Sequence, residues 1–140
     1  MKILIVEDDK NLASVLQNMF AGHKTIVVSE LKAAMTVVEN EKPDLVILDC
    51  MLDDTCHPND TVCGIPKMIE KSPNTAILLY TGYGSDEVKN QAIAGGAVGL
   101  IKKGSVWKLS ELASQIKAIL HGSKFPHLVE KLEDVLNVKL

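Results

Sequence analysis

The sequence lacks an excess of positive charge and lacks any long apolar run. Of its 140 residues, 15 are Lys or Arg and 18 are Asp or Glu, which gives a net charge of −3. This balance offers no basic surface for nucleic acid and no polybasic patch for a membrane, so we expect neither as a direct partner. No apolar run reaches the roughly 18 residues of a membrane span. Acidic residues at 7–9 interrupt the first apolar stretch, so we expect no signal peptide and a cytoplasmic protein.

Cysteine is scarce, and its spacing argues against a disulfide framework. Cys50, Cys56 and Cys63 are odd in number and include no CxxC pair, so we expect reduced thiols in a reducing compartment. Cys56, His57 and Cys63 are near one another in the chain, which raises a metal or redox site as an alternative. Their spacing matches no standard structural zinc pattern, so we favour a solvated, partly disordered loop.

Five short apolar runs, rich in branched residues, predict five strands. They do not alternate with polar residues, so both faces of each strand should be buried, as in a parallel sheet. Apolar residues at helical spacing lie between them, which predicts a β-α unit repeated five times with helices on both faces of the sheet. The runs are 2–6, 25–28, 44–48, 76–80 and 98–101.

The helices differ in the strength of their apolar pattern. The clear stripes lie at 12–20, 31–38 and 109–120. Ser29 is a candidate N-cap for the second of these helices. The pattern over 65–71 predicts only a short, weak helix. Another weak helix is predicted over 86–94, where two acidic residues start it and Gly95 and Gly96 stop it.

Acidic, hydroxyl and amine side chains follow four of the five runs. Ligands of such a sheet bind outside the carboxyl ends of the strands, so these side chains should converge. Close carboxylates need a cation to stay ionised, and hard oxygen ligands suit Mg²⁺. Each residue alone would more often be a cap, a turn former or a solvated lysine, but their joint placement favours a carboxylate that attacks phosphorus. They are Glu7, Asp8 and Asp9 after the first run, Asp49 after the third, Thr81 after the fourth, and Lys102 and Lys103 after the fifth.

Four motifs, "ILIVEDD", "PDLVILDCML", "LLYTG" and "GAVGLIKKG", together resemble the receiver domain of two-component response regulators. Single-domain chemotaxis receivers are the simplest members of that family. The resemblance extends from Met1 to about His121. It implies a flavodoxin-like α/β fold, with a doubly wound five-stranded parallel sheet of order 2-1-3-4-5 and helices on both faces. We expect a receiver domain over 1–121 and a C-terminal helical extension or linker over 122–140.

The resemblance implies a Mg²⁺ site built from three carboxylates and one carbonyl. Glu7 would bind the metal through water and Asp8 directly. Asp49 would be both a metal ligand and the phosphoacceptor. Met51 would contribute its backbone carbonyl. Asp9, just after the acidic pair, would be a helix-start residue.

The resemblance also implies roles in phosphoryl transfer. Asp49 would accept the group from the phosphohistidine of a histidine kinase or phosphotransfer protein, or from a small phosphodonor. Thr81 would supply the hydroxyl that moves towards the phosphoryl group, and the spacing of the family motif selects Lys103, rather than Lys102, as the cation. Such a receiver performs its own phosphorylation and dephosphorylation and is not a turnover enzyme. Phosphorylation would favour a conformer that a downstream effector protein reads.

Two departures from the family pattern concern the site itself. The stretch "DDTCHPNDTVCG" at 53–64 predicts an unusually long loop after Asp49, and its extra acids could alter metal affinity or donor access. Leu100 stands where the family commonly has an aromatic switch residue. Tyr83 and Trp107 are the aromatic residues that could report the change instead.

A third departure is the tail from Gly122, which exceeds a minimal receiver. A short helix is marginal in water, so the tail should dock on its own domain, form a homodimer contact or begin a linker. No DNA-binding module fits in it, so a complete chain would act through a partner protein. Its apolar face comprises Leu128, Val129, Leu132, Val135 and Leu136.

Three rival functions remain open. A haloacid dehalogenase-type phosphatase also ends a buried strand in an Asp nucleophile, but it requires a second Asp where this chain has Met51. A pseudo-receiver would bind proteins without taking phosphate. The full set of site residues argues against it, whereas the 53–64 loop favours it. A flavodoxin-like flavin binder would need a phosphate-cradling loop after the first strand, where "EDDKN" would repel phosphate unless a metal intervenes.

Overall fold

A single parallel sheet organises the chain, whose computed structural model describes residues 1–105 and 108–136. The strand order is β2-β1-β3-β4-β5, so the predicted α/β fold with order 2-1-3-4-5 is confirmed. The strands are β1 (Lys2–Val6), β2 (Lys24–Val28), β3 (Leu45–Leu48), β4 (Ala76–Thr81) and β5 (Gly99–Lys102). Within the described residues, none of the helices has the length and apolar content that crossing a membrane requires.

Helices cover both faces of this sheet. They are α1 (Lys10–Met19), α2 (Leu31–Glu41), α3 (Pro58–Lys71), α4 (Asp86–Ala94), α5 (Leu109–His121), α6 (His127–Lys131) and α7 (Glu133–Leu136). Side chains of α1, α5, α6 and α7 pack in one core cluster, and those of α2, α3 and α4 pack in another. Successive strand residues face opposite ways, so Ile3 and Ile5 join the first cluster while Leu4 and Val6 join the second. The apolar runs of β1, β3 and β4 do not alternate because both of their faces are buried. The prediction of two buried faces is wrong for the edge strand β2, which has no buried residue and whose Val27 is 38% exposed.

Helix α4 has the predicted bounds, and its end depends on a glycine. Gly95 is the C-cap, and Gly96 has a φ of +113°, a conformation that other residues rarely adopt. A Cβ atom at position 96 would also lie 2.1 Å from Ile69 Cδ1 on α3. The turn from α4 into β5 therefore requires glycine for its backbone conformation, and any side chain there would also displace the end of Ile69.

Helix α3 is twice the predicted length. We expected a helix over 65–71 after a loop at 53–64, but the helix begins at Pro58 and the loop prediction is wrong from that residue onward. Gly64 and Pro66 break the apolar pattern in the sequence, yet buried side chains continue on both sides of them. Tertiary packing therefore outweighs the local signal.

The start of α3 is fixed by local hydrogen bonds. Pro58 occupies the first helical position, where a missing N–H costs nothing. The ring Nδ1 of His57 accepts from the Asn59 N–H, and the Asp60 carboxylate accepts from the His57 N–H, which forms a capping box. His57 and Asp60, which lie in the stretch considered as a possible metal or redox site, therefore cap the start of α3. Cys56 is an exposed free thiol.

Helix α2 receives its cap from a distant part of the chain. Ser29 is not its N-cap, which is Glu30, and the Glu30 side chain makes no capping bond. Instead Asp54 accepts from the N–H groups of Leu31, at 2.7 Å, and Lys32, at 3.0 Å. The loop between β3 and α3 is thereby attached to the start of α2.

The tail packs on its own chain. Leu128, Leu132 and Val135 are buried in the core cluster that contains α5. His23, just before β2, lies 3.1 Å from an Asp134 carboxylate oxygen through its Nε2 atom. The predicted apolar face thus covers the first core at the amino end of the sheet. The Leu136 side chain, residues 137–140 and Trp107 lie outside the part of the chain described.

Candidate functional site

Asp49 directly follows β3 and is buried, with 4% of its surface exposed. Its N–H donates to the Val6 carbonyl at 3.0 Å, which continues the pairing of β3 with β1. The Thr81 hydroxyl donates to Oδ1 at 2.7 Å, and Lys103 Nζ donates to Oδ2 at 2.9 Å. Each oxygen of this carboxylate thus has a partner that replaces water, as burial of a charge demands.

Lys103 bridges two buried carboxylates. Its Nζ lies 2.7 Å from Glu7 Oε1 as well as 2.9 Å from Asp49 Oδ2. Burial lowers the pKa of Lys103, but its hydrogen bonds to Glu7 and Asp49 outweigh burial, so its pKa lies above the ordinary value and the ammonium stays charged. The neighbouring Lys102 is exposed.

Three carboxylates converge beside this ammonium. Ligand oxygens of Glu7, Asp8 and Asp49 all lie within 4.8 Å of one another, and among the described residues this is the group of acids, His or Cys suited to a metal ion. Burial raises the pKa of Glu7 to about 7, although the Lys103 ammonium and the Asp9 N–H lower it. With all three ionised, the carboxylates exceed the one ammonium by two negative charges. An oxygen-only donor set with this excess fits Mg²⁺.

Asp9 differs from its two acidic neighbours. Like Asp8 it is exposed, but its carboxylate accepts from the N–H groups of Asn11, at 3.0 Å, and Leu12, at 3.2 Å. Asp9 is therefore the N-cap of α1. The cap fixes where the helix begins, and the preceding residues Glu7 and Asp8 are thereby held at the end of β1.

Thr81 connects the Asp49 carboxylate with two backbone segments through one hydroxyl. It is fully buried, and besides donating to Asp49 it accepts from the Cys50 N–H at 3.4 Å and the Tyr83 N–H at 3.2 Å. Tyr83 is 54% exposed and lines a cavity of about 690 Å³ together with His57 and Lys102. A displacement of the Thr81 hydroxyl would break its contacts with the loops that follow both β3 and β4.

Leu100 lies beneath the loop that follows β4. A Cβ atom at Gly84 would come within 2.7 Å of Leu100 Cδ2, so the loop is in close contact with this side chain. Leu100 is partly buried and packs against the second core cluster.

The Met51 peptide lies beside the carboxylate cluster. The Met51 N–H donates to Asp49 Oδ1 at 3.4 Å. The loop acids that we expected to affect the metal are mostly engaged elsewhere, because Asp54 caps α2 and Asp60 caps α3. Only Asp53 lines the same cavity as Glu7 and Asp8.

The sequence did not indicate Thr61, which contacts this loop from α3. Its hydroxyl donates to the Cys50 carbonyl at 2.6 Å. A position assigned to a loop gives no reason to expect a buried hydroxyl. The missed signal was the capping box at 57–60, which would have placed Thr61 within the first turns of a helix.

Comparison with known proteins identifies one family. The model of the response regulator receiver domain matches residues 3–117. A transcriptional regulatory protein of Bacillus subtilis is 34% identical over 101 residues, which are 69% of this chain and 45% of the relative. The DNA-binding response regulator MtrA of Mycolicibacterium smegmatis is 32% identical over 95 residues, 61% of this chain and 42% of the relative. The chain thus spans about half the length of the curated relatives it matches.

Solved structures share the fold. The signal receiver domain of a DNA-binding response regulator from Colwellia psychrerythraea superposes with a TM-score of 0.70 at 25% identity, over 86% of this chain and 98% of that one. A response regulator from Burkholderia pseudomallei, crystallised with a phosphorylated aspartic acid, a calcium ion and citrate, gives 0.72 at 18% identity, over 99% and 76%. At that identity the second likeness concerns the fold alone.

Proposed function

The chain belongs to the response regulator receiver family of two-component systems, and from that premise we propose that Asp49 accepts a phosphoryl group in a Mg²⁺-dependent reaction. The donor is the phosphohistidine of a histidine kinase or a phosphotransfer protein, and a small phosphodonor can replace it. One observation carries the proposal. A buried carboxylate at a strand end has a lysine on one oxygen, a threonine hydroxyl on the other and two further carboxylates beside it.

The reaction is a displacement at phosphorus. A carboxylate oxygen of Asp49 attacks, the P–N bond to the donor histidine breaks, and its electron pair leaves with the imidazole nitrogen. Lys103 Nζ lies 2.9 Å from Asp49 Oδ2. Its positive charge is therefore close to the position that the oxygens of the transferred phosphoryl group would occupy. The Thr81 hydroxyl already donates to Asp49 at 2.7 Å and is available to a phosphoryl oxygen on the same carboxylate.

Four residues would hold the metal. Asp8 and Asp49 supply carboxylate oxygens directly, Glu7 acts through water, and Met51 offers its carbonyl. When bound, Mg²⁺ neutralises charge on the phosphoryl oxygens. The carboxylates of Asp8 and Asp49, together with Glu7 when it is ionised, outnumber the one ammonium, which supports this assignment.

The output is a change of conformation that an effector protein reads. The Thr81 hydroxyl accepts hydrogen bonds from the Cys50 and Tyr83 backbones. If the hydroxyl moved to donate to a phosphoryl oxygen, these bonds would change, which would favour a different arrangement of the loop after β4. We place the receiver at 1–121 and regard 122–140 as a C-terminal extension. Its packing on α5 favours an integral part of the domain over a free linker or a homodimer contact.

The test is intact mass after incubation with acetyl phosphate and Mg²⁺. We expect the wild type to gain one phosphoryl group, and the gain to disappear in Asp49→Asn and in the presence of a chelator. Asp86→Asn is the matched control, because it alters an exposed carboxylate at the start of α4, outside the metal cluster. No gain in a wild type that binds Mg²⁺ would overturn the proposal and favour a pseudo-receiver.

A further inference from the structure

The loop that carries Asp49 and Met51 receives a hydrogen bond from inside α3. Thr61 is fully buried, and its hydroxyl donates to the Cys50 carbonyl at 2.6 Å. Cys50 is fully buried as well, so no solvent competes for that carbonyl. A short bond in a dry environment holds its acceptor more firmly than one at the surface.

The geometry of the peptide bond extends this contact to the site. The Cys50 carbonyl and the Met51 N–H belong to the same peptide group, which is planar. Thr61 holds the oxygen of that plane, and the N–H on its other side donates to Asp49 Oδ1 at 3.4 Å. The orientation of this plane therefore determines the direction of the Met51 N–H. It also determines the position of the Met51 Cα atom, and Met51 is the residue whose carbonyl we assign to Mg²⁺.

The preceding peptide group, between Asp49 and Cys50, is also linked to the Asp49 carboxylate. The Cys50 N–H donates to the Thr81 hydroxyl, which in turn donates to Asp49. Thr61 thus holds the carbonyl of Cys50, and Thr81 holds both the Cys50 N–H and the Asp49 carboxylate, so the peptides on either side of Cys50 are restrained. The side chains of these four residues are buried.

We propose that Thr61 is a positioning residue for the metal site, because its hydroxyl orients the Cys50–Met51 peptide beside Asp49 without touching the metal or the phosphoryl group. The inference rests on the proposed function, since it concerns the same Mg²⁺. A metal site needs its ligands held in a narrow geometry, and hydrogen bonds behind the ligands supply that restraint.

The experiment compares two substitutions in the full chain. Thr61→Val keeps the shape of the side chain and removes the hydroxyl, whereas Thr61→Ser keeps the hydroxyl. The dissociation constant for Mg²⁺ is measured by calorimetric titration of each folded protein, and the phosphorylation rate with acetyl phosphate is followed as Mg²⁺ is raised. We expect Thr61→Val to bind Mg²⁺ about tenfold more weakly, and Thr61→Ser to resemble the wild type. Saturating Mg²⁺ should restore most of the phosphorylation rate of Thr61→Val.

The outcomes separate this inference from the proposed function. If the wild type takes a phosphoryl group and folded Thr61→Val binds Mg²⁺ as tightly as wild type, the positioning role is wrong and the proposed function stands. If the wild type neither binds Mg²⁺ nor takes a phosphoryl group, both are wrong. Should Thr61→Val not fold, Thr61→Ala, which favours the helix and also lacks the hydroxyl, decides by the same criterion.

Discussion

The carboxyl end of the sheet and the segment that covers its amino end bury opposite kinds of group. At the carboxyl end, Glu7 and Asp49 are 3% and 4% exposed. At the amino end, Leu128 of α6 and Leu132, which lies between α6 and α7, are 1% and 0% exposed. Burying a carboxylate opposes folding unless a partner balances it, whereas burying leucine favours folding. We infer that one end carries the chemistry and the other contributes the stability that tolerates it.

The largest expected effect breaks the carboxyl end alone. Lys103→Met removes the ammonium that contacts Asp49 and Glu7 but keeps a chain of similar length. We expect the phosphorylation rate at saturating Mg²⁺ to fall about 10²–10³-fold, as for loss of one charged donor to a developing anion. Acetyl phosphate and intact mass measure the rate. Lys102→Met, at the exposed neighbour, is the control, and an equal loss there would contradict the assignment of Lys103.

The next prediction breaks the amino end alone. Leu132→Ala removes a fully buried side chain, and we expect the free energy of unfolding to fall by about 2–3 kcal/mol. We expect a value in the lower part of the range for Leu→Ala substitutions in a core. The helix α7, which follows Leu132 and has only four residues, can shift to fill part of the cavity. Urea denaturation measures the change. The folded variant should take phosphate at the wild-type rate, so a large loss of rate would show that the two ends are not independent.

The smallest expected effect tests whether charge or apolar contact holds the tail at the amino end of the sheet. Asp134→Asn keeps the shape of the side chain and removes its charge. The hydrogen bond from His23 lowers the pKa of Asp134, but the carboxylate is 60% exposed, and ion pairs in water contribute little to stability. We expect no measurable change in the urea midpoint. A loss as large as that of Leu132→Ala would mean that charge, rather than apolar contact, holds the tail.

Most of the fold could be predicted from the sequence because buried strands appear in it as continuous apolar runs. A strand buried on both faces must be apolar throughout, which explains the runs of β1, β3 and β4. The edge strands β2 and β5 were found from their branched apolar residues although they are less buried, and the strand order came from the family resemblance. Helix α4 was predicted because its acidic start and Gly95 stop are local signals. Helix α3 was not, since Gly64 and Pro66 interrupt its apolar pattern and the capping box at 57–60 that marks its start was missed.

The site was accessible in part for a related reason. Asp49 and Lys103 follow apolar runs, so topology alone brings them to one edge, and their roles in phosphoryl transfer stay predictions. The cap that Asp54 gives to Leu31 spans 23 residues, and no local pattern encodes it. Thr61 was missed because its hydroxyl matters only once α3 begins at Pro58.

The separation of the site residues along the chain has a consequence for folding. Asp49 contacts Thr81 across 32 residues and Lys103 across 54, and these residues follow three different strands. Contacts so distant in sequence form only after large loops have closed. A nascent chain therefore lacks the complete site until β5 has joined the sheet, so the proposed phosphorylation would require all five strands to be in place.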